Sequence, residues 1–294
     1  DSINKNNENI QFLPDIKLNK FIIAETNIKK VLANIAFIAI PSQYVRPILI
    51  EYIQAIKKIN LKNKKLGFVI CSKGVELQTG YLLSEVINDL VSDANIAVLS
   101  GPSFARPVSL GLPTAVTLAS ENNRFRDKII ELIGSNVFRP YESSDIIGTQ
   151  INGTIKNIIA IASGITEGLG LGQNARAAII TRGIKEISDI CIKMGGKQKS
   201  ILGLSGLGDI ILTCTSSVSR NYYLGNKIGQ GKSIEEIVKG KVEVTEGLSN
   251  SKSIYNLTKK LKLETPIIDA VYYILNEKRD VKRIVKALLE RPFT

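Results

Sequence analysis

Short apolar runs alternate with helix-like segments through the first half of the chain and stop at about Ser144. This change of rhythm limits the fold more than any other feature. Ile35-Ala-Phe-Ile-Ala-Ile40, Leu66-Gly-Phe-Val-Ile-Cys71 and Asn95-Ile-Ala-Val-Leu99 are continuous apolar stretches, which is how strands buried on both faces read. Phe21-Ile-Ile-Ala24 reads as a shorter strand ahead of them, and residues 114–119 and 137–141 read as later ones. Helical periodicity lies between most of them, as over residues 45–59 and 81–91. That alternation predicts an α/β unit with a mainly parallel sheet. Beyond Ser144 only helices are expected, over residues 147–168, 174–194, 234–238, 250–261, 267–275 and 281–289. The chain of 294 residues is long enough for two domains, and the expected division is 1–146 for the α/β domain and 147–294 for an all-helical one.

The formal net charge is +12, but the lysines are scattered among isoleucine and asparagine. Without a basic stripe or a recognisable module, nucleic-acid binding is not expected; a basic cleft for a small anion is compatible with the charge. No run approaches the roughly 18 apolar residues of a membrane span, and Asp1-Ser-Ile-Asn-Lys5 lacks a signal-peptide pattern, so a cytoplasmic protein is expected. Cys71, Cys191 and Cys214 are far apart and lack C-x-x-C spacing, which argues for reduced thiols and against a metal site.

The chain contains no histidine, so proton transfer must fall to Lys, Asp, Glu, Tyr or Cys. Lys156 lies inside the apolar run 148–163. At helical spacing Thr149, Asn152, Gly153, Lys156, Ser163 and Glu167 form one narrow stripe, and isoleucines cover most of the rest. The ammonium must therefore meet a partner or a cleft. It is either a structural ion pair or snorkelling lysine, or a base whose pKa burial has lowered.

Three expected strands end alike, in Pro41-Ser42, in Ser72-Lys73-Gly74 and in Ser100-Gly-Pro-Ser-Phe-Ala105. Ligands of open α/β sheets sit outside the carboxyl ends of strands, where small residues let backbone N–H groups approach phosphate. The same residues also make ordinary βα turns. Gly170-Leu-Gly-Gln-Asn-Ala175 fits G-x-G-x-x-A, but a helix precedes it, so it reads as a helix–helix corner. Asp209, after a glycine-rich turn, is either a helix cap or a carboxylate aimed into a cleft. Ser219-Arg220-Asn221 suits a phosphate, and equally a cap followed by a solvated arginine.

Taken together, Phe12-Leu-Pro14, Ile40-Pro-Ser42, Lys73-Gly74, Ser100–Ala105, Gly153-Thr-Ile-Lys-Asn157, the glycine-rich run 168–174, Thr181-Arg-Gly183, Gly206-Leu-Gly-Asp209, Ser219-Arg-Asn221 and Glu246-Gly247 resemble the bacterial NAD(P)-dependent glycerol-3-phosphate dehydrogenase family. The match runs through essentially the whole chain. The resemblance implies a Rossmann-like domain followed by a helical substrate domain. It implies reversible reduction of dihydroxyacetone phosphate to sn-glycerol 3-phosphate for phospholipid synthesis, with NAD or NADP as cofactor and NADPH favoured. Lys156 is similar to the family's proton-transferring residue, and Asp209 and Asn157 to the residues that orient it and the substrate. Lys73, Gly101 and Ser103 resemble substrate contacts, and Ser219, Arg220 and Asn221 phosphate-side contacts. Lys73, Ala105, Arg220, Val244 and Glu246 resemble cofactor contacts. The implied partner is a small phosphorylated molecule, and a homodimer is compatible with the resemblance.

Three departures stand out. Gln150 occupies a position usually acidic in the family, and Pro107 one that is often Glu. The family also opens with a strand, a G-x-G-x-x-G/A turn, a helix and a second strand, and no such dinucleotide fingerprint occurs in these residues. The Rossmann-like domain is therefore expected to be incomplete, its first two strands missing, with unpaired edges at residues 21–24 and 35–40. NAD(P)H binding by the chain alone is then expected to fail. The alternative to an active enzyme is an inactive remnant that cannot bind the dinucleotide.

Overall fold

The computed structural model describes residues 2–58, 65–239 and 245–291. A short helix α1 (Ser2–Asn6) and a small antiparallel hairpin of β1 (Glu8–Asn9) and β2 (Leu13–Lys17) precede the main sheet. That sheet has the order β3 (Ile35–Ile38), β4 (Gly67–Ile70), β5 (Asn95–Ser100), β6 (Thr114–Ala119), β7 (Phe138–Ser143). Strands β3, β4 and β5 are parallel; β6 runs antiparallel to β5, and β7 is parallel to β6. Every residue of β4 is buried, in keeping with its continuous apolar run.

Side chains alternate across the sheet and recruit helices on both sides. Phe68 and Ile70 pack with α2 (Val45–Lys58) and α3 (Leu83–Leu90) on one face. Val69, Ala97 and Leu118 pack with Phe125 and Ile129 of α5 (Asn123–Ile133) on the other. A short α4 (Ala105–Ser109) follows β5, with Pro107 in its first turn, where the missing N–H of proline costs nothing. β3 is an edge of the sheet, and Phe37 on it is exposed.

Residues 21–24 are not a strand, contrary to their apolar pattern. Phe21 and Ile23 are both 80% exposed, and the backbone of Ala24 is held by a side chain, with Asn4 donating to its carbonyl at 2.8 Å and accepting its N–H at 2.7 Å. An apolar run becomes a strand only where a neighbouring backbone offers a ladder, and an asparagine amide has taken that place here.

After β7 the structure is helical: α6 (Ile146–Gly168), α7 (Gly172–Lys193), α8 (Asp209–Thr215), α9 (Arg220–Gly229), α10 (Ile234–Val238), α11 (Glu246–Lys260), α12 (Pro266–Asn276) and α13 (Val281–Leu289). The architecture is a Rossmann-like α/β unit followed by a helical one. No helix among the described residues is long and apolar enough to cross a membrane.

The axis of the helical part is α6. Asp145 caps it by accepting the N–H of Gly148 at 2.9 Å, and its second oxygen takes the Lys197 N–H and the Ser200 hydroxyl. Ile151, Ile155, Ile158, Ile159 and Ile161 are fully buried among the surrounding helices. Against α6, α9 packs backbone to backbone. A Cβ on Gly225 would fall on the Ile161 carbonyl, and one on Gly164 on the Tyr222 carbonyl. Four residues further along both helices the contact recurs, Gly168 meeting the Asn226 carbonyl and Gly229 that of Ile165, so α9 runs parallel to α6 and its N-terminus is carried toward the middle of α6. The Gly170–Gly172 segment is an exposed corner between α6 and α7 with positive φ at both glycines, not a phosphate turn after a strand.

Candidate active site

The α6 stripe faces the segment 198–215. The Asn152 amide donates to the Ser200 carbonyl, and the Ser163 hydroxyl to that of Cys214. Between these contacts Lys156, 6% exposed, places Nζ 2.5 Å from Asp209 Oδ1 and 3.1 Å from Thr213 Oγ1. Thr213 Oγ1 in turn donates to Asp209 Oδ1 at 3.3 Å. Asp209 is the first residue of α8 and caps nothing; the cap position belongs to Gly208, which bonds through no side chain. Of the two roles open to Asp209, the carboxylate aimed inward is the one adopted. Its Oδ2 is buried and has no hydrogen-bond partner among the described residues.

Burial pushes the Lys156 pKa below the ordinary lysine value. The Asp209 carboxylate opposes that shift, the nearby Lys73 ammonium adds to it, and Glu246 opposes it weakly. The net direction is downward, toward the neutral amine. The thiols do not compete for this role: all three are free, and burial raises Cys71 and pushes Cys191 to about 11 and Cys214 to about 12.

Because β3, β4 and β5 are parallel, their carboxyl ends open on one edge, and α6 packs across it. Lys73, after β4, extends Nζ to 3.2 Å from Ser100 Oγ at the end of β5. Gly153 of α6 lets it lie there, since a Cβ would come within 2.7 Å of Ser100 Oγ and 3.5 Å of Lys73 Nζ. The Lys73 ammonium thus sits against α6 less than one turn before Lys156. Gly101 is buried against the Val116 backbone with φ near +152°, a conformation suited to glycine. Ser103 is exposed on the following loop, where it donates to the Gly101 carbonyl, and Ala105 is exposed as the first residue of α4.

On the other side of Lys156, Asn157 donates to Glu246 Oε2 at 2.9 Å, and Asn221 Oδ1 accepts the Gly247 N–H at 2.9 Å. Ser219 caps α9 by accepting the Tyr222 N–H. Arg220 is exposed on a cleft of about 420 Å³ shared with Phe12, Val218, Tyr223 and Ile237. Val244 lies outside the described residues. The structure therefore brings Lys73, Lys156, Asn157, Asp209, Asn221 and Glu246 together, and leaves Ser103, Ala105 and Arg220 on open surface. Among the described residues, no group of three His, Cys, Asp or Glu side chains could hold a metal ion.

Thr213 escaped the sequence reading, although its i,i+4 spacing from Asp209 on an apolar helix was a usable signal. Ser100 and Thr154 lay within motifs that were singled out but were given no role of their own, and Asn250 carried no local signal. Gln150 is a departure the fold absorbs. It accepts the Ser84 N–H at 3.1 Å near the start of α3 and donates to the Ser84 hydroxyl at 2.8 Å, so the uncharged amide satisfies the site without burying a charge.

Residues 1–126 match the family model of the NAD-dependent glycerol-3-phosphate dehydrogenase N-terminus, and residues 145–286 that of its C-terminus. The chain is 42% identical over 293 residues to glycerol-3-phosphate dehydrogenase [NAD(P)+] of Parvibaculum lavamentivorans, covering 99% of this chain and 86% of that protein. It is 39% identical to the Rhodospirillum rubrum protein of the same name, covering 99% and 82%. A crystal structure of glycerol-3-phosphate dehydrogenase from Coxiella burnetii superposes with a TM-score of 0.92 at 36% identity, covering 99% of this chain and 88% of that one. With both family models matched and full-length relatives near 40% identity, the chain belongs to the NAD-dependent glycerol-3-phosphate dehydrogenase family.

Proposed function

We propose that this chain interconverts dihydroxyacetone phosphate and sn-glycerol 3-phosphate with a nicotinamide dinucleotide, and that Lys156 moves the proton. The observation that carries the reading is the buried Lys156–Asp209 pair lying beside Lys73 at the carboxyl ends of parallel strands. In the reductive direction the Lys156 ammonium donates a proton to the carbonyl oxygen as it gains negative charge. In the oxidative direction the neutral amine accepts the hydroxyl proton. Asp209 and Thr213 hold Nζ in place, and Asn157 orients the substrate. Lys73, Gly101 and Ser103 meet the substrate, while Ser219, Arg220 and Asn221 take its phosphate, for which the planar fork of Arg220 is suited.

The residues present fit the nicotinamide end of a dinucleotide. The cleft at Arg220 joins a cation to apolar walls from Phe12, Val218 and Ile237, as a planar group attached to an anion requires. Lys73, Ala105, Arg220, Val244 and Glu246 would hold it. The bound cofactor supplies the hydride donor or acceptor. No residue here is assigned to the pyrophosphate, because no strand-preceded G-x-G-x-x-G/A turn occurs in the sequence. On this reading residues 1–146 form the dinucleotide domain and 147–294 the substrate domain. NADPH is the preferred form, the product serves phospholipid synthesis, and the enzyme works in the cytoplasm, compatibly as a homodimer.

The test is oxidation of NADPH by the purified chain with dihydroxyacetone phosphate, followed by absorbance. Turnover that depends on the phosphorylated ketone would uphold the reading and overturn the expectation, drawn from the lack of a glycine turn, that NAD(P)H binding fails. Absent turnover with retained binding of glycerol 3-phosphate would replace the reading with that of an inactive remnant.

A further inference from the structure

The peptide joining Lys73 to Gly74 is held at both of its polar atoms by side chains from the helical part. The Lys73 carbonyl accepts from Asn250 Nδ2 of α11 at 2.9 Å. The Gly74 N–H, on the other side of the same planar unit, donates to Thr154 Oγ1 of α6 at 3.0 Å. Asn250 is 2% exposed and Thr154 1%. Asn250 is itself fixed: its Oδ1 accepts from Ser42 Oγ at 2.8 Å and from Gln43 Nε2 at 3.3 Å, both on the turn after β3. Gln43 also donates to the Val75 carbonyl at 2.8 Å. Gly74 has φ near +150°, and a Cβ there would strike Ser42 Oγ and lie 2.7 Å from Asn250 Oδ1, so the clamp closes only on glycine.

We infer that Asn250 and Thr154 are positioning residues that aim the Lys73 side chain at the substrate, by fixing the peptide plane from which that side chain departs. The inference rests on the proposed contact between Lys73 and the phosphorylated substrate. A lysine side chain has four rotatable bonds, and its reach to Ser100 Oγ is useful only if its starting direction is set. That direction comes from two buried hydrogen bonds, because the end of β4 supplies no partner of its own to the carbonyl or the N–H. Thr154 is two residues before Lys156 on the same helix, and Asn250 is one turn after Glu246 on α11. The clamp therefore references Lys73 to the two helices that also carry Lys156 and Glu246.

The test measures the dissociation constant for sn-glycerol 3-phosphate by calorimetry, with unfolding temperature recorded for every variant. Lys73→Met is expected to raise the constant about tenfold, and Asn250→Ala and Thr154→Val about fivefold each, as loss of one well-placed hydrogen bond predicts. Thr154→Ser, which keeps the hydroxyl, should restore wild-type affinity. In the Lys73→Met background Asn250→Ala and Thr154→Val should have no further effect, since their influence runs through Lys73. A purely structural role would lower the unfolding temperature and leave the constants unchanged, or give effects that add to that of Lys73→Met; either result overturns the clamp and spares the assignment of Lys73. An unchanged constant in Lys73→Met would overturn the substrate contact itself, and the clamp with it.

Discussion

Replacing Lys156 by Met removes the ammonium, keeps the length and apolar stem of the side chain, and strands its partner. Asp209 is 1% exposed, and its Oδ2 already lacks a hydrogen-bond partner among the described residues. With Nζ gone, Oδ1 retains only the Thr213 hydroxyl at 3.3 Å. Removing one member of a buried pair costs about 3–5 kcal/mol, because the remaining charge is left uncompensated. For a domain of this size that corresponds to a fall in unfolding temperature of roughly 10 °C. Combining Lys156→Met with Asp209→Asn removes the charge as well and should recover most of the loss. Turnover should fall by about 10²-fold or more in both variants, the usual contribution of a proton-transferring group. The wild-type rate of glycerol 3-phosphate oxidation should rise with pH as Lys156 deprotonates, with a midpoint below the ordinary lysine value of 10.5, since burial lowers that pKa. The reductive rate should fall over the same range, because it needs the ammonium. Scanning calorimetry and steady-state rates against pH test the two halves separately. Lys156→Met with near-normal turnover would refute the catalytic role and leave a structural ion pair. Equal unfolding temperatures for the single and double variants would refute the argument about the stranded charge.

Arg220→Lys keeps the charge but not the planar fork, so affinity should drop more for glycerol 3-phosphate than for an analogue without phosphate; equal losses would remove Arg220 from the phosphate. Gly225→Ala drives a methyl onto the Ile161 carbonyl, a backbone atom that cannot turn aside, and should cost about 1–3 kcal/mol in urea unfolding; an unchanged midpoint would show that the α6–α9 approach has slack. Glu186 is buried, accepts the N–H groups of Ile267 and Ile268 at 2.7 and 3.1 Å, and has its pKa pushed by burial from 4.5 to about 7. Its folded state therefore holds a proton that the unfolded chain releases between those values. The resulting stability is fully present below pH 4.5 and is lost as pH rises through 7, by about 3 kcal/mol. Glu186→Gln should flatten this part of the pH dependence, and a variant whose midpoint falls with pH as steeply as the wild type's would dismiss the assignment.

How far the fold could be read in advance depended on how local its cause was. Gly67–Ile70 is recognisable because a strand buried on both faces must be apolar throughout, whatever lies beside it. Residues 21–24 have the same look and fail, because a ladder partner is a property of the neighbours and not of the segment. Lys156 stood out because an ammonium within an isoleucine-rich helix needs an explanation. Asp209 stayed ambiguous, because a carboxylate at the start of a helix serves a cap and a cleft equally well. Only the packing of α8 on α6, 53 residues away in sequence, decided between them.

By itself, then, the sequence determined the α/β-then-helical order, the glycine turns and the residue types able to carry a proton, since each follows from short-range periodicity or from chemistry inherent in a side chain. Tertiary structure alone decided which of those groups meet. The lowered pKa of Lys156 needs the desolvation of a closed core, with the Lys73 charge adding to it against the opposing Asp209 carboxylate. The aim of Lys73 needs Asn250 from 177 positions further along the chain. Desolvation and hydrogen bonding act over a few ångströms in space, and distance along the chain carries no record of them until the helices have packed.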